Sequence, residues 1–486
     1  MLIFVFSISI MDSLALLYRS HTGFEPERIT ALSPSGSRRK YYRMQGKGGS
    51  FIAVEGTDRE ENSTFIYLAS HFLSKGLNVP EQYGLSQNGM DYLQEDLGEK
   101  TLFELLASSR IKGQYTPEDE ALLCKVVSML PAIQYRGGEG LDYGKCYAVS
   151  SFDARTVDFD LNYFKYCFLK PSSLEFNELR LQDDFDRLKS DLLSVGNDCF
   201  MYRDFQSRNV MIKDGEPYFI DFQGGRKGPC HYDLASFVWQ ARAAYPESLK
   251  QKMIDAYLNS LSEYKTVDRS TFLQELRIFV LFRMLQVLGA YGFRGRIERK
   301  AHFLASIAPA IANLEELIST PFGQYPYLCE VLRDLIASEK KKVAQNDGRL
   351  EVQIISFSFK KGLPEDNSGN GGGYVFDCRS VNNPGRYEQY RHLSGLDSEV
   401  QAFLEDDGGI SRFLNSVFKL VDTHVDCYLK RGFTHLQLCF GCTGGQHRSV
   451  YSALRTAEHI SSLFGASLRV HLIHRELGID IKDFKC

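Results

Sequence analysis

The chain has 486 residues, 43% of them hydrophobic and 24% charged, with a formal net charge of -4 at pH 7. This length calls for two to four domains, each with its own core. The near-balanced charge excludes a chain that binds nucleic acid electrostatically along its whole surface, and the run Arg38-Arg39-Lys40 reads as a solvated turn.

Eleven cysteines are scattered along the chain. Cys439 and Cys442 form one C-x-x-C, but no second ligand pair follows, so reduced thiols in a cytoplasmic protein are expected. Residues 1–10, MLIFVFSISI, are apolar. They lack a basic flank and a small-residue cleavage site and are too short to span a bilayer. A more ordinary sequence begins at Met11, which suggests a mis-assigned start, with a short signal-like or membrane role as the alternative. No other stretch is read as reaching transmembrane length, so no membrane partner is expected.

To about residue 98, short strands and loops are predicted, with strands over 40–44 and 51–54. A helix is predicted over 60–74, where Phe65, Leu68, Ala69, Phe72 and Leu73 recur on one face. Asn78-Val79-Pro80 ends it. An extended segment over 91–97 leaves this first lobe, and Thr101 opens a helix with Leu102, Leu105 and Leu106. To about residue 335 the pattern is mainly helical. Two short strands, 209–212 and 218–220, are joined by Lys213-Asp214-Gly215-Glu216, and an Asp-Gly turn between apolar runs signals a hairpin. Residues 339–348 are polar and read as a linker. Residues 364–373 form a glycine-rich loop with no helix after it, hence no phosphate cradle. Beyond it come a strand over 375–378, helices near 400–404 and 411–429, a strand over 435–440, a helix over 449–463 and a strand over 467–473. This alternation is an α/β pattern.

The strongest chemistry lies in Tyr202-Arg203-Asp204-Phe205-Gln206-Ser207-Arg208-Asn209 and in Ile220-Asp221-Phe222-Gln223. Phosphoryl transfer asks a protein to aim a hydroxyl and to hold metal ions against phosphates. A loop carboxylate, an amide five residues on and a second carboxylate across a hairpin supply that set. The spacing R-D-x-x-x-x-N, hairpin, D-F is specific for it. Asp204 is the candidate base, and Asn209 and Asp221 are the candidate metal ligands.

With these motifs, residues from about 12 to 335 resemble the aminoglycoside phosphotransferase branch of the protein-kinase-like fold. The resemblance implies ATP and Mg²⁺ as cofactors. It places Asp233 as a brace for the catalytic loop, or as a helix cap. It sets Ser33-Pro34-Ser35-Gly36-Ser37-Arg38 over the nucleotide phosphates and Gln94-Glu95-Asp96-Leu97-Gly98 at the adenine hinge, so that Ser35, Gly36, Ser37, Arg38 and Glu95 are candidate nucleotide contacts. The strand lysine of that fold is missing from Phe51-Ile52-Ala53-Val54-Glu55-Gly56. Arg38, Arg43 or Lys47 is expected to replace it, Arg43 first, with Glu61 as its helix partner. Within the branch, R-D-F-Q, D-F-Q, Glu61-Asn62-Ser63-Thr64-Phe65 and Glu95-Asp96-Leu97-Gly98 look like the anomeric kinases for N-acetylmuramate and N-acetylglucosamine of cell-wall recycling.

The second motif is Gly441-Cys442-Thr443-Gly444-Gly445-Gln446-His447-Arg448-Ser449. A glycine loop between a strand and a helix presents backbone N–H groups to an anion. Cys442 and Arg448 have the C-x5-R spacing of cysteine phosphatases, which is one reading. The other is a ligand-binding loop. Residues from about 352 to 477 resemble the RapZ C-terminal domain, through the stretch from Ser356 to Pro364, Phe376-Asp377-Cys378-Arg379, Asn382-Asn383-Pro384, Arg391, Ser394-Gly395-Leu396-Asp397, the glycine loop itself and His474-Arg475. That resemblance implies a pocket for glucosamine-6-phosphate lined by Asp377, Arg379, Arg391, Thr443, Gly444, His447 and Arg448. Gly385-Arg386 stand where that family often has a histidine.

The expected architecture is an α+β bilobal protein-kinase-like fold followed by a separate α/β domain. The expected boundaries are 12–98 for the first lobe, 99–340 for the helical lobe, 341–350 for the linker and 351–486 for the last domain. The expected function is an ATP- and Mg-dependent kinase for an amino sugar, with a rear domain that binds a phosphorylated amino sugar. The alternatives are a pseudokinase scaffold that senses glucosamine-6-phosphate and acts on an RNA or nuclease partner, and an aminoglycoside resistance enzyme.

Overall fold

The computed structural model describes residues 2–32, 39–147, 149–172, 174–345, 349–366 and 372–485. The chain forms two compact units, Met1–Gly295 with Ala301–Ser338, and Arg296–Lys300 with Glu339–Cys486.

The first unit opens with a five-stranded antiparallel sheet in the order Arg28–Ala31, Lys40–Gly46, Gly49–Glu55, Asp91–Glu95, Gln82–Leu85. Side chains alternate across a strand, so the sheet has two apolar faces. Tyr42, Met44, Ala53 and Leu93 meet Leu14 and Tyr18 of the helix Leu2–Thr22. That helix was not anticipated, and it runs through Met11 without a break. Ile52, Val54 and Tyr92 belong to the opposite core, with Phe65, Leu68 and Phe72 of the helix Arg59–Ser74. Asp58 caps this helix by accepting from the Glu60 and Glu61 N–H groups at 2.8 and 3.1 Å.

The second lobe is helical, as expected. Its long helix Arg269–Tyr291 packs on the helices Ala154–Phe164 and His231–Val238. The span Arg269–Ile297 is long and apolar enough to cross a membrane, with a mean hydropathy of 1.4, which corrects the reading that no such stretch exists. Within the lobe 61% of its apolar window is buried, as in the core helix of a folded domain. Two short β-pairs carry the loops of interest. Val210–Lys213 pairs with Glu216–Phe219 around Asp214 and Gly215, whose φ values of 52° and 80° are those of a tight hairpin turn. Cys199–Met201 pairs with Arg226–Gly228.

The polar run expected as a linker begins inside the helix Pro326–Gln345. In the second unit, Gly373–Asp377, His435–Cys442, Leu350–Ser358 and Leu468–His474 lie side by side in that order and parallel, and Ile479–Ile481 joins the edge antiparallel. Leu350–Ser358 is the central strand and was not predicted. Val352, Ile354, Leu438, Phe440, Val470 and Leu472 form the core with Ala453, Ala457 and Ile460 of the helix Arg448–Phe464, the near-continuous apolar pattern of a covered parallel sheet.

Candidate functional site

Asp204, Asn209 and Asp221 come together in the first unit. Met201 ends a short strand, and the chain turns sharply at Arg203, whose φ is +76°. A non-glycine residue holds that conformation only when its surroundings compel it. Asp233 does so: its carboxylate accepts from the Tyr202 N–H at 2.8 Å, the Arg203 N–H at 2.7 Å and Gln134 Nε2 at 3.1 Å. Asp233 is fully buried, and burial pushes its carboxyl up to about 7 while these donors pull it down. It braces the loop and caps no helix; the helix His231–Val238 starts without a side-chain cap.

Beyond the brace, the Asp204 side chain stays 38% exposed. The Asn209 amide donates to the Asp204 carbonyl at 2.7 Å and to Asp221 Oδ2 at 3.3 Å. Asp221 also carries a positive φ, +67°. Desolvation and the neighbouring Asp204 carboxylate push Asp221 up to about 6, against Gln223, Arg208 and Arg39. Phe222 stacks on Phe65 at 5.1 Å and meets Phe72 at 5.3 Å, so this loop is seated on the helix Arg59–Ser74.

Polar contacts continue from Asp221 into the first lobe. Gln223 Nε2 donates to Asp221 Oδ1 at 2.8 Å and to Glu61 Oε1 at 3.3 Å. Glu61 in turn pairs with Arg39 Nη2 at 3.1 Å. Arg39 is 3% exposed, so it does not belong to a solvated turn. Arg43 is committed elsewhere: it grips Asp96 through Nε at 2.8 Å and Nη2 at 3.0 Å, and donates to the Gly98 carbonyl at 2.7 Å. The Glu61 partner is thus Arg39, four residues before the cation named from sequence. Glu95 turns its carboxylate to Lys213 across the lobes and accepts from the Glu81 N–H at 3.2 Å. Ser35, Gly36, Ser37 and Arg38 lie outside the described residues.

Among the described residues no group of three or more His, Cys, Asp or Glu side chains is placed to hold a metal by itself. Asp221 with Asn209 is a smaller donor set, of the kind Mg²⁺ uses when phosphates and water complete its shell. A desolvated carboxylate beside a second one also fits a divalent cation.

In the second unit the predicted pocket residues gather at the carboxyl ends of the parallel strands, where open α/β sheets bind ligands. His435–Cys442 leads into a five-residue bend, and the helix Arg448–Phe464 follows with no side-chain cap. Gly445 has φ +71°, and a Cβ there would sit 2.3 Å from Glu476 Cγ and 2.9 Å from the Ser358 nitrogen. Gly444 and Thr443 are exposed, with open space around Gly444. Asp377 and Arg379 pair at 2.6 Å beside the loop, and Arg379 lies over the Phe359 ring at 4.3 Å. Arg391 is exposed, and its carbonyl accepts from Gln446 at 3.0 Å.

His447 and Arg448 are placed differently from the expectation. Both are buried. The His447 ring meets the Tyr390 carbonyl at 2.8 Å, and Arg448 Nη1 donates to the carbonyls of Arg379 and Val381, each at 3.0 Å. They fasten the segment that carries Arg379 and Arg391 to the loop. Cys442 Sγ accepts from the Gly445 N–H at 3.2 Å and contacts Ser449 Oγ at 3.1 Å. Burial raises this thiol, but these hydrogen bonds and Arg448 bring it below its ordinary value. A phosphatase loop needs its arginine on the phosphate, whereas here Arg448 Nη1 is bound to backbone carbonyls. Cys439 and Cys442 form no disulfide.

The first unit has a protein-kinase-like fold, and the second is a loop-bearing α/β domain. Residues 28–268 match the model of the phosphotransferase enzyme family, and residues 350–478 match the RapZ C-terminal domain. The chain thus carries a domain of the phosphotransferase enzyme family, followed in sequence by a RapZ C-terminal domain. A nucleotide-binding protein of Acidothermus cellulolyticus is 38% identical over 135 residues, 27% of this chain and 42% of that protein. A nucleotide-binding protein of Thermosipho africanus is 35% identical over 250 residues, 50% of this chain and 82% of that protein. The chain spans about half the length of the first curated relatives it matches. Among solved structures, amicoumacin kinase hAmiN in complex with AMP-PNP, Ca²⁺ and Ami aligns over 62% of this chain and 92% of its own, with 13% identity and a TM-score of 0.46. Choline kinase LicA from Streptococcus pneumoniae aligns over 62% and 98%, with 13% identity and a TM-score of 0.43.

Proposed function

We propose that the chain is an ATP-dependent kinase for the hydroxyl of an amino sugar, N-acetylmuramate or N-acetylglucosamine at C1, in cell-wall sugar recycling. The observation that carries this reading is the convergence of Asp204, Asn209 and Asp221 on a loop braced by Asp233. Asp204, partly exposed, accepts the proton of the acceptor hydroxyl. Asn209 and Asp221 are the residues that would hold Mg²⁺, which when bound neutralises charge on the nucleotide phosphates. Arg39, fixed by Glu61, supplies the cation that a strand lysine supplies elsewhere in the fold. The segment through Glu95 and Gly98, clamped by Arg43 and Asp96, is the adenine hinge.

The second unit binds a phosphorylated amino sugar at the loop from Gly441 to Ser449. Arg379, Arg391 and the open N-terminus of the helix Arg448–Phe464 face that ligand, while His447 and Arg448 hold the pocket wall. Both units then read one metabolic pool. The described cysteines are all free, in keeping with a reducing cytoplasm.

A coupled assay of ADP release with N-acetylmuramate, N-acetylglucosamine and kanamycin tests the kinase. Turnover of a sugar that disappears in Asp204→Ala supports it; a folded protein that turns over no hydroxyl substrate sinks it. A thermal shift with glucosamine-6-phosphate tests the rear site, and no shift at millimolar ligand removes it.

A further inference from the structure

Building on the phosphotransferase reading, we propose that the acceptor is an anion: the molecule bearing the reactive hydroxyl also carries a carboxylate or phosphate that binds Arg283 beside Asp204.

Arg283 lies on the helix Arg269–Tyr291 and is only 6% exposed. A guanidinium is buried at high cost unless its N–H groups are met. Its Nε donates to Ser236 Oγ at 3.2 Å, and Nη1 is met by Gln286 Oε1. Nη2 is different. It points to Asp204 Oδ1 at 3.9 Å, beyond hydrogen-bond range, and no hydrogen-bond acceptor for it is found among the described residues. This donor therefore sits next to the carboxylate that would take the hydroxyl proton, and that carboxylate is itself partly exposed.

The surrounding charge has the same sense. Arg203, Arg226 and Arg283 all act on the buried Asp160. Arg208 and Arg242 join Arg283 in acting on the Tyr291 phenol. Against these guanidinium groups stand Asp160, Asp204 and the buried Asp233, on which Arg283 also acts; Arg208 also acts on Asp221. Burial raises the Asp160 carboxyl in spite of three arginines. Burial and Arg203 together bring the Arg226 guanidinium down to about 10. The Arg226 shift marks guanidinium groups crowded beside Asp160, a crowding that an anion at Arg283 offsets and a polycationic aminoglycoside adds to.

N-acetylmuramate and N-acetylglucosamine form the test pair, because they share a ring and differ by a lactyl carboxylate. N-acetylglucosamine 6-phosphate supplies the phosphate arm and kanamycin the cationic arm, all with the full chain. An anionic acceptor is expected to show kcat/KM about ten-fold or more above the neutral sugar, with a KM that climbs as salt is added. Whichever anionic arm shows the gain identifies carboxylate or phosphate as the recognised group. Arg283→Gln is expected to cost the anionic acceptor about ten times more than it costs the neutral one, and Arg283→Lys to recover part of the loss. Equal kcat/KM for the pair, or a preference for kanamycin, overturns the proposal and leaves the kinase standing. If no acceptor turns over, the kinase reading fails and binding decides the anion site. Calorimetric titration of N-acetylmuramate into the full chain should then lose one site in Arg283→Gln, and unchanged stoichiometry overturns the proposal. Thermal melting of both variants confirms that the fold persists.

Discussion

Arg39 Nη2 stands 3.1 Å from Glu61 Oε1, with the arginine buried and the glutamate held in place by the Asp58 cap one turn below. The pair couples the strand that begins at Lys40 to the helix Arg59–Ser74. Through Gln223 it reaches Asp221. In the proposed function this guanidinium stands in for the missing strand lysine.

Removing that cation should impair nucleotide use more than acceptor use. Arg39→Ala is expected to raise the KM for ATP about ten-fold or more and to lower kcat, while Arg39→Lys retains part of both. Steady-state kinetics at varied ATP check this. Unchanged ATP kinetics would mean that Arg39 only packs.

Asp233 holds two backbone N–H groups that no other described acceptor meets. Asp233→Ala should destabilise the first unit by roughly 2–4 kcal/mol, the range for leaving buried donors unmet. It should also lower kcat, because Arg203 no longer has a reason to keep φ +76°. Denaturant unfolding and turnover are the measurements. Asn keeps one acceptor, so Asp233→Asn should fall between the two.

The two adjacent loop glycines should respond in opposite ways. Gly445→Ala places a Cβ against the Ser358 nitrogen at 2.9 Å in a left-handed backbone, so ligand binding and stability of the second unit should both fall. Gly444→Ala meets open space and has no positive φ, so it should melt near the parent temperature. Differential scanning calorimetry with and without glucosamine-6-phosphate separates the two.

His474 gives the second unit an acid-side dependence. Burial lowers its pKa from 6.5 to about 4, and its Nδ1 contacts Ser356 Oγ at 2.9 Å. The unfolded chain protonates first, so stability is expected to drop as pH falls from about 6.5 to about 4 and to be complete above 6.5. His474→Gln should flatten that slope. Chemical unfolding of the full chain across this range checks it, and a parallel slope in the variant would discount His474.

Much of the candidate site's local geometry was legible in one dimension. Asp204, Asn209 and Asp221 sit within eighteen residues and flank a hairpin whose Asp214-Gly215 turn announces itself by φ preference alone. Local chemistry of this kind survives in sequence because the residues that cooperate are near neighbours in the chain. The glycine loop at Gly441 to Ser449 is legible for the same reason.

What only the tertiary structure decided are choices among similar side chains far apart in sequence. Arg39 and Arg43 lie four residues apart, on one face by strand alternation, so it is the positions of Asp96, more than fifty residues away, and of Glu61 that decide which carboxylate each arginine takes. Arg448 looks like a phosphate ligand until the carbonyls of Arg379 and Val381 fold over it. The central strand Leu350–Ser358 finds its partners about eighty and more than a hundred residues later, and Arg283 meets Asp204 only because a core helix crosses behind the loop. Charge pairing and strand pairing depend on distance in space, which a linear order of residues does not contain.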